Sequence, residues 1–141
     1  MQGPGFDGTN DARLPCVGAR RYQELVAWQL ADELRRGVVA FTDKPPACHH
    51  SKFCDQICDA ADSACSNTAE GFGRYGPAEF HRFLVIARSS LLEVQDRLMS
   101  ARHRRFIQEA EFTRLHGLAD RAIGANVRLQ QYLRRADGRG R

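Results

Sequence analysis

Apolar residues recur along this chain at alternating steps of three and four, the period of an amphipathic helix, in four successive blocks. The first block, from about Tyr22 to Phe41, places Ala27, Ala31, Leu34, Val38 and Phe41 on one seam. Thr42-Asp43-Lys44-Pro45-Pro46 ends it, because consecutive prolines cannot continue the hydrogen-bond ladder. The second, from about Cys48 to Glu70, turns Phe53, Ile57, Ala60, Ala61 and Ala64 inward, a small-residue face that lets a neighbour come close. Gly71 and Gly73 then act as stop signals.

Pro77 suits the first position of a third helix, with Glu79 in its first turn. Phe80, Leu84, Ala87, Leu91, Val94, Leu98 and Ala101 follow in unbroken heptad register, which implies neighbours at shallow crossing angles. His103, Arg104 and Arg105 complement the dipole at its end, and Glu109 and Glu111 do the same at the start of the fourth block. That block runs through Phe112, Leu115, Ala119, Ala122, Asn126, Leu129 and Leu133, and an amide at the seam position of Asn126 can fix register. No strand-period segment or internal repeat appears. The pattern predicts an all-α fold, an up-down-up-down antiparallel four-helix bundle over residues 21–135, after a flexible leader at 1–20 and before a frayed tail at 136–141.

Two helices carry more apolar surface than one seam needs: Leu25, Val26, Trp28 and Leu30 on the first, and Phe83, Val85, Ile86 and Leu92 on the third. Tilted helices can bury wider arcs inside a monomer. A surface left exposed would instead mark self-association.

Composition adds an electrostatic asymmetry. Residues 1–96 hold 10 basic and 13 acidic side chains, whereas residues 97–141 hold 11 basic ones, all arginine, and 4 acidic. Arginine offers a planar fork of donors suited to phosphate or carboxylate, although a solvated helix face would read the same way. The five cysteines, an odd number without a secretory signal, point to reduced thiols in the cytoplasm. Cys54, Cys58 and Cys65 share a helical stripe near Cys48, His49 and His50, but only half of a zinc-type spacing is visible, so neither metal nor cofactor is expected. No apolar run reaches the roughly 18 residues that span a bilayer. Phosphate loops, HExxH, nucleophile elbows and paired carboxylates are all absent from the sequence, and Gly71-Phe72-Gly73 has no preceding strand, so no enzymatic activity is expected.

Three motifs in order resemble the bundle proteins encoded in intervening sequences of bacterial 23S ribosomal RNA genes. They are Leu25-Val26-Ala27-Trp28-Gln29-Leu30-Ala31, Ser66-Asn67-Thr68-Ala69-Glu70-Gly71, and the run from Phe83 through Arg88 to Glu93. The resemblance covers about Tyr22 to Leu133. It implies a four-helix bundle and a homo-oligomer, a ring-like pentamer above all. It also implies RNA and a protein such as a reverse transcriptase as partners, since a related bundle in diversity-generating retroelements binds both. Trp28, Asn67, Glu70 and Gly71 are the motif residues with structural roles under this resemblance. The chain departs from the pattern in its second helix, where Cys58 and Asp59 stand in place of a usual basic pair, Asp62 in place of valine and Cys65 in place of proline. Candidate nucleic-acid contacts are then Arg74, Arg82, Arg88, Arg102, Arg104 and Arg105. A scaffold that binds no nucleic acid is the alternative.

Overall fold

The computed structural model of the protein describes residues 18–139, with the side chain of Arg139 excepted. Residues 1–17 of the expected leader and 140–141 of the expected tail lie outside the described residues. Four helices follow one another: α1 (Val26–Thr42), α2 (Ser51–Phe72), α3 (Pro77–His103) and α4 (Glu109–Arg139), with single 3-10 turns at Tyr22–Glu24 and Ala47–His49. They run up, down, up and down, each packed chiefly against its two neighbours around a square, with α2 and α3 in the most extensive contact. We call the end holding the α2–α3 turn the near end, and the end holding the α1–α2 and α3–α4 turns the far end.

Every seam residue expected from the pattern is buried, from Ala27 to Phe41, Phe53 to Ala64, Phe80 to Ala101 and Phe112 to Leu133. Truncating a side chain such as Leu84 or Leu98, both fully buried, costs about 2–5 kcal/mol in cores of this kind. Asn126 is 1% exposed and donates from Nδ2 to the Leu84 carbonyl at 3.0 Å, while its Oδ1 accepts from Gln130 Nε2 at 2.6 Å. The seam amide is therefore satisfied, and it ties α4 to a single position along α3. Ser63 and Ser90 hydroxyls make a second cross-link, 2.8 Å apart, between α2 and α3.

Four boundaries differ from the sequence pattern. Leu25 is extended (ψ 127°) and fully buried, so α1 starts at Val26 rather than Tyr22. The 3-10 turn after Pro46 delays α2 from Cys48 to Ser51. Gly71 does not stop α2: it lies buried within the last turn, where an added Cβ would sit 2.7 Å from Phe83 Cβ and 3.3 Å from the Phe80 carbonyl. Its lack of a side chain serves the close approach of α2 and α3. Finally, α4 continues through residues 136–139, where a tail was expected, because nothing there interrupts the i to i−4 ladder and Ala136 and Asp137 stay half-buried. At the other end of the α3–α4 connection, Arg105 takes a left-handed φ of 60°, and the Phe106 amide bonds back to the Ala101 carbonyl at 2.8 Å. This closes the α3 carbonyls and sends Phe106 into the core.

Candidate nucleic-acid interface

The six candidate arginines do not form one patch. Arg74 and Arg82 lie at the near end, Arg102, Arg104 and Arg105 at the far end, and Arg88 on the outer face of α3 between them. A helix of 27 residues spans roughly 40 Å, too far for a shared small ligand.

Local chemistry sorts them further. Arg74 bonds Glu70 at 2.9 Å and Arg82 pairs with Glu79 at 3.2 Å. Both guanidinium groups also lie over the Phe83 ring, 4.9 and 5.4 Å from its centroid. They shield an aromatic side chain that is 8% exposed. Arg102 is engaged in the same way, by Glu109 at 2.9 Å and the Phe112 ring at 4.8 Å. Arg88, Arg104 and Arg105 are exposed and pair with no carboxylate among the described residues.

The motif residues gather at the near end. Trp28 meets Tyr22 edge to face at 5.2 Å, and both line a cleft of about 500 Å³ with Arg35, Cys65, Ser66 and Glu70. Asn67 donates to the Ser63 carbonyl and hydroxyl at 2.9 and 3.1 Å, staying within α2, so it reaches α3 only through the Ser63–Ser90 contact. Glu70 closes on Arg74 across the turn rather than on α3. Gly71 provides the α2–α3 approach already described.

At the far end Arg104 enters a second cleft, of about 540 Å³, that sequence reasoning did not assemble. Lys52, Arg97, His50, Gln56 and Ser100 join it, and no carboxylate lines it. Phe106 organises the wall: His50 stacks on its ring at 4.0 Å, and the Arg104 guanidinium lies 4.4 Å from the ring centroid. Arg97 Nε is buried without a hydrogen-bond partner, and its terminal nitrogen is 3.8 Å from Glu93. The start of α2 opens here with no side-chain cap, leaving first-turn amides free to face negative charge. Lys52 and Arg97 are single cations on two different helices, and only the packing of α2 against α3 brings them to the same place.

Three thiols of α2 behave as packing groups, while Cys48 before it is exposed. Cys54 donates to the Ala47 carbonyl at 3.1 Å, Cys58 lies 3.6 Å from the Thr42 hydroxyl, and Cys65 is 1% exposed. Among the described residues no three of His, Cys, Asp or Glu converge as metal ligands. Burial pushes the Cys65 thiol up to about 11 from an ordinary 9.0, against the opposing pull of Arg35. The folded protein therefore holds this proton more tightly than the unfolded chain does. Its contribution is intact below pH 9.0 and is lost as pH rises through about 11. The loss is on the order of 2 kcal/mol. Urea midpoints near pH 8 and about pH 11 are expected to fall less for Cys65→Ala than for the parent, and equal falls would assign the alkaline loss to other groups.

No helix among the described residues is long and apolar enough to cross a membrane. The family model described as 23S rRNA-intervening sequence protein matches residues 23–125. No curated protein matches the chain.

Proposed function

We propose, from the premise that the chain belongs to the 23S rRNA-intervening sequence protein family, that it acts by assembly and binding rather than by catalysis. Copies associate through the outer face of α3, and the resulting oligomer, a pentamer as the resemblance implies, holds RNA or other nucleic acid on its arginine-bearing surface. The observation that carries this reading is the outer face of α3 itself. Val85, Ile86, Leu92 and Met99 are each 43–48% exposed there, with unpaired Arg88 beside them. Such a row is costly to leave in water and ordinary in an interface core. The net charge of +7 over residues 97–141 supports the nucleic-acid part, since closing a ring multiplies that field. The proposed location is the cytoplasm, where the thiols stay reduced. A protein partner, such as a reverse transcriptase, belongs to the same proposal.

A second reading, a scaffold without nucleic-acid binding, draws on the ion pairs that already occupy Arg74, Arg82 and Arg102 and on the acidic Asp59 and Asp62 of α2. One preparation decides between them. Light scattering is expected to give several times 15.9 kDa, and titration with structured RNA is expected to show binding that weakens steeply with salt, as phosphate neutralisation releases counterions. A monodisperse 15.9 kDa species removes the assembly part. Absence of binding even at low salt leaves the scaffold.

A further inference from the structure

The outer face of α4 carries a second regular pattern, unrelated to the core. Arg114, Arg121 and Arg128 stand seven residues apart, all exposed, on one line along the helix. Arg135 continues the interval, although it already makes an interaction of its own. Seven residues of helix rise about 10.5 Å, so the three guanidinium groups form rungs along about 21 Å.

Two features separate this ladder from ordinary solvated charge. A solvated face is usually laced with carboxylates three or four residues away. Around Arg121 those places hold Gly117, Leu118, Gly124 and Ala125, and around Arg128 they hold Gly124, Ala125, Gln131 and Tyr132. None of the three rungs has a carboxylate within ion-pair distance among the described residues. Glu111 is engaged by Lys44, and on the neighbouring α1 Asp32 is taken by Arg35 and Arg36. Glu33 of α1 pairs with none of the three.

The second feature is glycine. Gly117, Gly124 and Gly138 each follow an arginine of this line by three residues. Glycine inside a helix is destabilising relative to alanine, so it needs a reason. The bundle supplies none at Gly117, where an added Cβ would meet nothing within 4 Å, and at Gly124 it would meet only the tip of Arg128 at 3.3 Å, whereas Gly138 lies at the helix end, where glycine is ordinary. Bare backbone beside each cation leaves the surface low. A flat, regular partner can then lie against the helix while the guanidinium forks reach around it.

We propose that this arginine–glycine ladder on α4 is a track for the phosphodiester backbone of a nucleic acid. The inference rests on the nucleic-acid reading above and gives it a place that the six arginines first considered do not. Arginine is the side chain whose fork matches phosphate, and residues 97–141 contain no lysine. A duplex carries one negative charge per about 1.7 Å of its axis, so the roughly 21 Å of the ladder runs beside about a dozen phosphates, and the three rungs meet those that face α4. Such contacts position a backbone and read no bases, so binding along the track is indifferent to sequence.

The test uses the full chain and fluorescence anisotropy with labelled duplex RNA, duplex DNA and poly-glutamate across a salt series. In Arg114→Gln, Arg121→Gln, Arg128→Gln, affinity for the bound duplex is expected to fall about tenfold or more, with the log–log salt slope shallower by about three. A charge-neutral variant, Gly117→Leu with Gly124→Leu, is expected to weaken binding several-fold without loss of helicity, because it raises the surface between rungs. The two duplexes tell whether RNA alone or any duplex fits. If the parent binds nucleic acid and both variants retain affinity and slope, the track is wrong while nucleic-acid binding stands. If the parent binds no nucleic acid at low salt, both fail. If the ladder variants lose poly-glutamate binding while nucleic-acid binding is unchanged, the surface belongs to an acidic protein.

Discussion

Gly71→Leu is expected to leave the bundle largely unfolded at temperatures where the parent chain is folded. The position has no free space: a Cβ there lies 2.7 Å from Phe83 Cβ and 3.0 Å from Phe80 Cδ1. Two of the surrounding atoms, Phe83 Cβ and the Phe80 carbonyl oxygen, cannot swing aside as a side-chain tip would. Forcing α3 away would loosen the largest interhelical contact of the fold. Alanine makes the sharper comparison. It gains about 1 kcal/mol of helix propensity over glycine, yet overpacking of this kind costs about 1–3 kcal/mol, so Gly71→Ala is expected to be destabilising on balance. Gly37 provides the control. Its added Cβ would run into Leu115 Cδ2, the end of a side chain that can rotate, so Gly37→Ala is expected to cost less. Urea midpoints read both effects, and a higher midpoint for Gly71→Ala than for the parent would show that α2 and α3 separate easily.

The other large effect concerns assembly. Leu92→Glu is expected to convert the proposed oligomer to a 15.9 kDa species while leaving helical circular dichroism intact. Leu92 is 45% exposed, so the monomer fold does not depend on it. Val85, Leu92 and Met99 stand at seven-residue intervals, and a carboxylate at the middle of that line would be buried without a partner in any interface built on it. Light scattering on parent and variant is the measurement. If both show the same multiple of the protomer mass, the copies meet through another face.

The four seams were legible because their period is dictated by backbone geometry. From Phe80 to Ala101 every residue that the heptad names is buried, although Phe83 and Ser90 are buried beside them without belonging to it. What the period cannot state is how far a helix extends at either end. Leu25 belongs to the core yet lies outside α1, since burial and helical dihedrals are independent properties. Gly71 carries a stop signal locally, but the approach of Phe83 from another helix decides its role. The site was less legible for the same reason. Arg104 could be named from sequence, and Arg97 stands seven residues before it on α3, but Lys52 of α2 joins them only through packing. The arginine ladder did leave a trace, one residue type repeated every seven positions, but on the polar side of α4, where a search for apolar periodicity does not look.

That repetition gives Asn126 a further significance. On α4 the core positions and the arginines recur with the same seven-residue interval, and Gly117 and Gly124 share it before Gln131 interrupts, so sliding the helix along its axis by one repeat would superpose many features on equivalent ones. Translation by a heptad is close to a symmetry of this surface, and hydrophobic burial alone discriminates weakly between the resulting alignments. The amide weights the choice: at the present setting its Nδ2 donates to the Leu84 carbonyl and its Oδ1 accepts from Gln130, and any setting that lacks such partners buries it unsatisfied. A leucine at 126 would fill the same volume with more apolar surface. The molecule that resulted could gain stability and lose its single alignment, and with it the fixed alignment of the α4 rungs with the outer face of α3.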